Sequence, residues 1–247
     1  MQKSDFSTKR IIIQIYEIQE PSEAEMLVQM DVDHIGSVVL KEGRDEKIKE
    51  VVEICKKAGK KSSIIFLLKD MDEILREIDY YEPDIVHFCE EIGLPEKHIE
   101  RQKEVKKRFP EVLVMRSIPV PVSGKKRIFD PEDLRSFDPY TDIYLIDTHV
   151  EDPPVKGYIG ITGKTCDWNL AREIVKISSR PVILGGGLSP ENVYDALCKV
   201  GPDGVDSCTG TNKRDKEGRP IRFKKDPERL RKFIEEVRRY EKEREAR

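Results

Sequence analysis

The chain has 247 residues, 38% of them charged and 37% hydrophobic, and its 45 Lys plus Arg against 48 Asp plus Glu leave a formal net charge of -3. Charges of both signs that nearly cancel give no global field for nucleic acid or for a membrane surface, so neither is an expected partner. Apolar runs such as 11–13 and 64–68 fall far short of the roughly 20 residues of a membrane helix, and the five cysteines show no Cys-x-x-Cys spacing. Reduced thiols in a soluble, cytoplasmic protein are the expectation. The excess of Lys, Glu and Arg fits the surface ion-pair networks of thermophiles.

Short β-branched runs alternate with charged segments that carry apolar residues at helical spacing. In chain order the pattern predicts strand 10–16, helix 21–30, strand 34–40, helix 44–58, strand 62–68 and helix 71–80. Strand 84–88, helix 95–108, strand 112–117, helix 131–136, strand 142–147 and helix 167–177 follow, then strand 181–185, helix 190–200, strand 204–207 and helix 226–243. Pro21, Pro95, Pro131 and Pro190 stand where helices should begin, at a position whose missing N–H costs nothing. Runs such as Ile11-Ile12-Ile13 and Val182-Ile183-Leu184 read as strands buried on both faces. Eight βα units with short connections predict an α/β chain folded as one closed (β/α)8 TIM barrel spanning residues 1–247, with an open doubly wound sheet as the alternative.

A barrel of this kind places chemistry at the C-terminal ends of its strands. That rule selects Tyr16, Glu17, residues 40–44, Lys69, Cys89, Glu90, Arg116, Ser117, Asp147, residues 185–187 and residues 208–210. The loop 148–166, rich in Gly, Pro and Thr, is a candidate lid. Strand 181–185 runs into Gly185, Gly186 and Gly187, then Ser189 and Pro190, so that exposed amides and a helix start face one point. Ser207-Cys208-Thr209-Gly210-Thr211 makes a second small-residue turn after the next strand. Gly186, Gly187, Thr209 and Gly210 are therefore candidate phosphate ligands, the plainer alternative being two tight connections without a ligand. Asp147 ends an apolar strand, where its surroundings should raise its pKa toward that of a useful acid; otherwise it caps the next loop. The basic stretch 213–225 reads as a solvated loop that helps attract an anion. The four histidines are dispersed, without metal-ligand spacing, so no metal site is expected.

The stretches 181–193 and 204–210, together with 142–147 and Gly160-Ile161-Thr162-Gly163-Lys164-Thr165-Cys166-Asp167-Trp168, resemble the corresponding segments of phosphoribosylanthranilate isomerases. Asp33-His34-Ile35-Gly36 and Phe223-Lys224-Lys225-Asp226 also fit, so the likeness runs through nearly the whole chain and is strongest after Asp142. The resemblance implies an Amadori rearrangement of a phosphoribosylated amine in tryptophan biosynthesis, carried out by a general acid and a general base without cofactor. Asp147 matches the family's acid. The family's base is a cysteine at the end of the first strand, and here Tyr16 stands in its place; a tyrosine of ordinary pKa near 10 cannot accept a proton as a thiolate can. The fourth strand also departs, with His87-Phe88-Cys89-Glu90 where the family has Gln-Leu-His-Gly.

Two side chains are candidate substitute bases: Cys89, otherwise an inert core thiol, and Glu17, otherwise a solvated carboxylate. Arg44 falls near the family's anthranilate-carboxylate arginine and Arg116 in the region of a family lysine, which makes both candidate substrate ligands. The expected partner is a phosphorylated small-molecule substrate, with either a monomer or a homodimer left open. A phosphate-binding barrel that has lost its general base is the rival to an active isomerase, and convergence of another phosphate-binding barrel enzyme is the third reading.

Overall fold

The computed structural model describes residues 10–40, 43–93 and 95–246. The apolar runs become eight parallel strands: β1 (Ile12–Ile15), β2 (His34–Val39), β3 (Lys61–Phe66), β4 (Ile85–Phe88), β5 (Leu113–Pro121), β6 (Ile143–His149), β7 (Val182–Leu184) and β8 (Gly204–Ser207). They pair in chain order, and β1 closes the barrel on β8 with Gln14 opposite Asp206 and Ile15 opposite Ser207. The connecting helices are α1 (Pro21–Val28), α2 (Glu46–Lys57), α3 (Met71–Tyr81), α4 (Pro95–Arg108), α5 (Leu134–Phe137), α6 (Trp168–Ile177), α7 (Val193–Val200) and α8 (Pro227–Glu245). Among the described residues no helix is long and apolar enough to cross a membrane.

Local chemistry sets these limits. Asp45, Asp70, Asp167 and Asp226 each cap a helix by accepting backbone N–H groups of its first turn, worth about 1 kcal/mol apiece. The outer core lies between strands and helices, where Ile13, Ile15, Leu184 and Val205 meet Ala171, Ile174, Leu197 and Phe233. Inside the barrel, Ile85, Met115, Ile143, Leu145 and Ile183 fill one end. Above them the interior becomes polar, with Gln14 bonded to Asp206 and His34.

The structure revises several boundaries. β5 runs through Pro119 and Pro121, beyond its expected end at 117, because pairing with β4 stops at Arg116 while pairing with β6 continues to His149. On the unpaired side the prolines forfeit no ladder bond. The expected helix 131–136 is a single α-helical turn flanked by two 3₁₀ turns, Pro131–Asp133 and Asp138–Tyr140. The seventh helix begins at Val193 rather than 190, since the Asn192 side chain bonds Ser189 N–H and the Gly187 carbonyl and holds 189–192 as a turn.

The largest correction concerns residues 213–225. They form part of a hairpin of β9 (Asn212–Arg214) and β10 (Pro220–Lys225) rather than a loop, although residues 213–224 stay exposed or half-buried as expected. Lys225 is buried, its Nζ donating to the Cys208 carbonyl at 2.8 Å and to Asn212 Oδ1 at 2.6 Å. Of the positions singled out above, Lys41 and Glu42 lie outside the described residues.

Candidate functional site

At the C-terminal end of the barrel the strand ends enclose about 560 Å³ of empty space, counting its open mouth. Its walls are mostly apolar, with Val38, Ile65, Leu67 and Leu145 below and Val155, Ile159 and Ile161 from the loop after β6 above. Tyr16, Glu17, His87, Cys89, Asp147 and Asp206 supply the polar groups. A second recess of about 300 Å³ adjoins it, lined by Gly163, Gly186, Gly187, Thr209 and Gly210 and sharing Asp147, Asp206 and Ile161 with the first.

Tyr16 fills the barrel interior. A Cβ on Gly36 of β2 would come within 2.5 Å of the Tyr16 ring, so the glycine makes room for it. Tyr16 Oη lies 2.6 Å from Ser63 Oγ and 2.8 Å from His87 Nδ1, and His87 Nε2 lies 2.8 Å from Ser117 Oγ. Burial pushes the phenol well above its ordinary range, the Ser63 hydrogen bond opposing it. Burial, with the Arg116 charge behind it, lowers His87 to about 3. The chain of four side chains is therefore neutral, one imidazole nitrogen donating and the other accepting.

The two candidate substitute bases both reach the cavity, in different states. Cys89 is buried, and burial followed by the neighbouring Glu90 charge pushes its thiol far up, so it is held protonated at neutral pH. Sequence position put Cys89 on the cavity wall, but the dry surroundings oppose the thiolate that a base requires. Glu17 is not the solvated carboxylate of the alternative reading: it is buried, sits in the left-handed backbone region with φ 66°, and ion-pairs with Arg222 of β10. A non-glycine residue in that region costs of order 1 kcal/mol or more and persists only where its surroundings hold it.

Asp147 lies at the meeting point of both recesses. Its Oδ1 accepts the Thr148 N–H at 2.7 Å, the local bond of the capping alternative. The residue is half-buried at the cavity wall, and burial raises its carboxyl to about 6 against that opposing hydrogen bond. The loop after β6 lies across the mouth and is pinned on both sides: Ile159 N–H donates to the Cys89 carbonyl at 2.7 Å, Tyr158 bridges to Glu90, and Thr148 Oγ1 donates to the Lys164 carbonyl at 2.6 Å.

The glycine turns have two reasons for being glycine. Gly186 and Gly187 have φ of 78° and 61°, and a Cβ on Gly187 would meet the Lys164 carbonyl carbon at 2.7 Å. A Cβ on Gly210 would fall 1.9 Å from the Leu188 carbonyl oxygen, so the two turns pack backbone on backbone, joined by Ser207 Oγ donating to that oxygen at 2.9 Å. No backbone carbonyl among the described residues accepts the N–H groups of Gly186, Gly187, Thr209 or Gly210. Free amides lining one recess can receive an anion, and the buried Lys225 ammonium beneath Cys208 adds positive charge.

Neither candidate arginine lines the cavity. Arg44 stacks over the Tyr80 ring at 4.0 Å on a separate surface groove. Arg116 is wholly buried and tied to Glu90, its NH1 donating to Oε2 at 2.9 Å, while Arg101 takes the other carboxylate oxygen at 2.6 Å. The residues the sequence reading passed over are Asp206, Lys225 and Arg222. An aspartate inside the apolar β8 run was a visible signal for the first; the other two are brought in by the hairpin, which sequence pattern did not reveal.

Residues 13–236 match the family model described as N-(5'phosphoribosyl)anthranilate (PRA) isomerase. N-(5'-phosphoribosyl)anthranilate isomerase 1 of Methanosarcina mazei is 30% identical over 183 residues, covering 72% of this chain and 71% of that protein. The isomerase of Acetivibrio thermocellus is 32% identical over 218 residues, covering 84% of this chain and 90% of the relative. Among solved structures, phosphoribosyl anthranilate isomerase from Thermotoga maritima superimposes with a TM-score of 0.69 at 22% identity, over 92% of this chain and 98% of that one. The Pyrococcus furiosus enzyme gives 0.66 at 23% identity, over 93% and 100%. The barrel is thus a fold shared with these isomerases, and by sequence the chain belongs to the N-(5'-phosphoribosyl)anthranilate isomerase family.

Proposed function

We propose that the protein catalyses an Amadori-type isomerisation of a phosphoribosylated small molecule, the reaction of tryptophan biosynthesis or a closely related sugar-phosphate reaction. The observation that carries this reading is the contact between the two recesses: free amides of Gly186, Gly187, Thr209 and Gly210 on one side, and on the other a mostly apolar cavity entered by Asp147. A phosphate held by the turns would place its sugar against that carboxyl, which is raised into the range where proton transfer at neutral pH is efficient. The apolar walls would take the substituent on the sugar and exclude water from the imine intermediate.

A second reading, a barrel that binds phosphate compounds without turning them over, is favoured by Tyr16, which occupies the place of the family's base and is locked neutral by Ser63 and His87. Turnover of phosphoribosylanthranilate, read as loss of its fluorescence, separates the two: activity abolished by Asp147→Asn supports the enzyme, and bound phosphate without turnover supports the binding barrel.

A further inference from the structure

The reaction proposed above needs one group to give a proton and another to take one, and the first-strand cysteine that would take it is absent. Asp206 on β8 has no role so far. It lines both recesses, as Asp147 does. Its Oδ1 is fixed by Gln14 Nε2 at 3.1 Å, and Gln14 is in turn held by His34 Nδ1 at 3.1 Å from its Oε1. No hydrogen bond among the described residues engages Oδ2, which lies 3.6 Å from the position a Gly185 Cβ would occupy at the start of the glycine turn. One oxygen is thus anchored and the other is free for a ligand.

We propose that Asp206 is the proton donor of the reaction and Asp147 its proton acceptor, the two carboxyls together replacing the pair that Tyr16 has broken up. This reverses the acid role that the family resemblance gives Asp147, and it rests on the isomerase reading above. Two neighbouring carboxyls in one mostly apolar cavity oppose each other's ionisation, and their surroundings separate their tasks. Asp206 is raised to about 8 by burial and by the Asp147 charge, against the Gln14 amide and the Lys225 ammonium, with Glu17 adding to the rise. Asp147, with a backbone N–H on Oδ1, rises only to about 6. At neutral pH the proton rests on Asp206. Of the groups around it, Tyr16 and Cys208 are pushed well up by burial.

The proton balance closes without a co-reactant. Asp206 protonates the ring oxygen of the N-substituted sugar phosphate as the C1–O bond breaks, leaving a protonated imine. Asp147 removes the C2 proton; that C–H electron pair becomes the C1–C2 double bond, and the imine electrons return to nitrogen. The enaminol then moves its hydroxyl proton to C1 to give the aminoketose. Asp147 releases its proton and Asp206 regains one from solvent.

The test is the pH profile of kcat/KM with phosphoribosylanthranilate for wild type, Asp206→Asn and Asp147→Asn, with inorganic phosphate binding measured by calorimetry to show that each variant is folded. The alkaline limb decides, because ionisation of the substrate phosphate falls on the acid side. The expected result is a wild-type fall in rate above about pH 8, in line with the Asp206 value. Asp206→Asn should lose roughly 100-fold or more, and its residual rate should no longer fall in alkali. A wild-type profile flat through pH 9, or an Asp206→Asn variant within a few-fold of wild type while Asp147→Asn is inactive, overturns the assignment and leaves the isomerase reading standing. Wild type without turnover overturns the isomerase reading itself and this assignment with it.

Discussion

Gly160 rests directly on the carboxyl of Asp147: a Cβ at residue 160 would stand 2.1 Å from Asp147 Oδ2. The glycine also adopts φ 100°, a backbone region that side chains rarely occupy. The loop after β6 therefore closes over the acid–base group with its backbone, and any side chain at this point must lift the loop or push the carboxyl aside. Gly160→Ala is expected to lower kcat/KM by 10-fold or more, on the order of 1–3 kcal/mol of strain and misplacement, while inorganic phosphate binding changes little. Steady-state kinetics beside calorimetry checks this; unchanged kinetics would mean that the loop does not shape the reactive position.

Gly187 is held between φ 61° and the backbone of Lys164. Gly187→Val should weaken inorganic phosphate binding by 10-fold or more and should disturb the neighbouring loop at the same time. Calorimetric affinity equal to that of the wild type would remove this turn as the phosphate seat.

Tyr16→Phe leaves Ser63 and His87 short of a buried partner and should cost about 1–3 kcal/mol in chemical denaturation. It should leave the pH limbs of turnover where they are, because the phenol stays protonated throughout. A limb that disappears in Tyr16→Phe would make Tyr16 a participant in proton transfer after all.

Folding raises Asp206 from its ordinary 3.8 to about 8. Between those values the folded chain keeps a proton that the unfolded chain releases, so the favourable contribution is complete below about 3.8 and is lost as pH rises through 8. Asp206→Asn should accordingly be more stable than wild type at pH 9, by on the order of 6 kcal/mol, and the gain should shrink toward pH 5. Urea denaturation at the two pH values reads the difference. Equal effects at both would show that Asp206 is not held protonated by the fold.

The barrel was legible because strands buried on both faces must be largely apolar and most helix starts carry a proline or an aspartate cap; β7, Val182-Ile183-Leu184 and buried throughout, is a clear case. The same reasoning found the glycine turns, Asp147, Glu17 and Cys89, since strand ends define the mouth. It did not reveal the hairpin in 213–225: most of its charges face solvent as read, but Lys225 is buried and Arg222 pairs with Glu17. Its readings of Arg44 and Arg116 depended on position along a strand end, whereas Tyr80 and Glu90, far away in sequence, determine where those guanidinium groups rest. The state of the Cys89 thiol could not be read at all, because burial on every side is a property of the closed barrel.

The most direct test of the central claim is the loss of fluorescence of freshly generated phosphoribosylanthranilate on adding purified protein, with Asp147→Asn run in parallel. The isomerase reading predicts turnover in the wild type and a loss of roughly 100-fold or more in the variant, with inorganic phosphate still bound by both. Phosphate binding without any wild-type turnover would contradict it and leave a barrel that keeps its anion seat for another ligand.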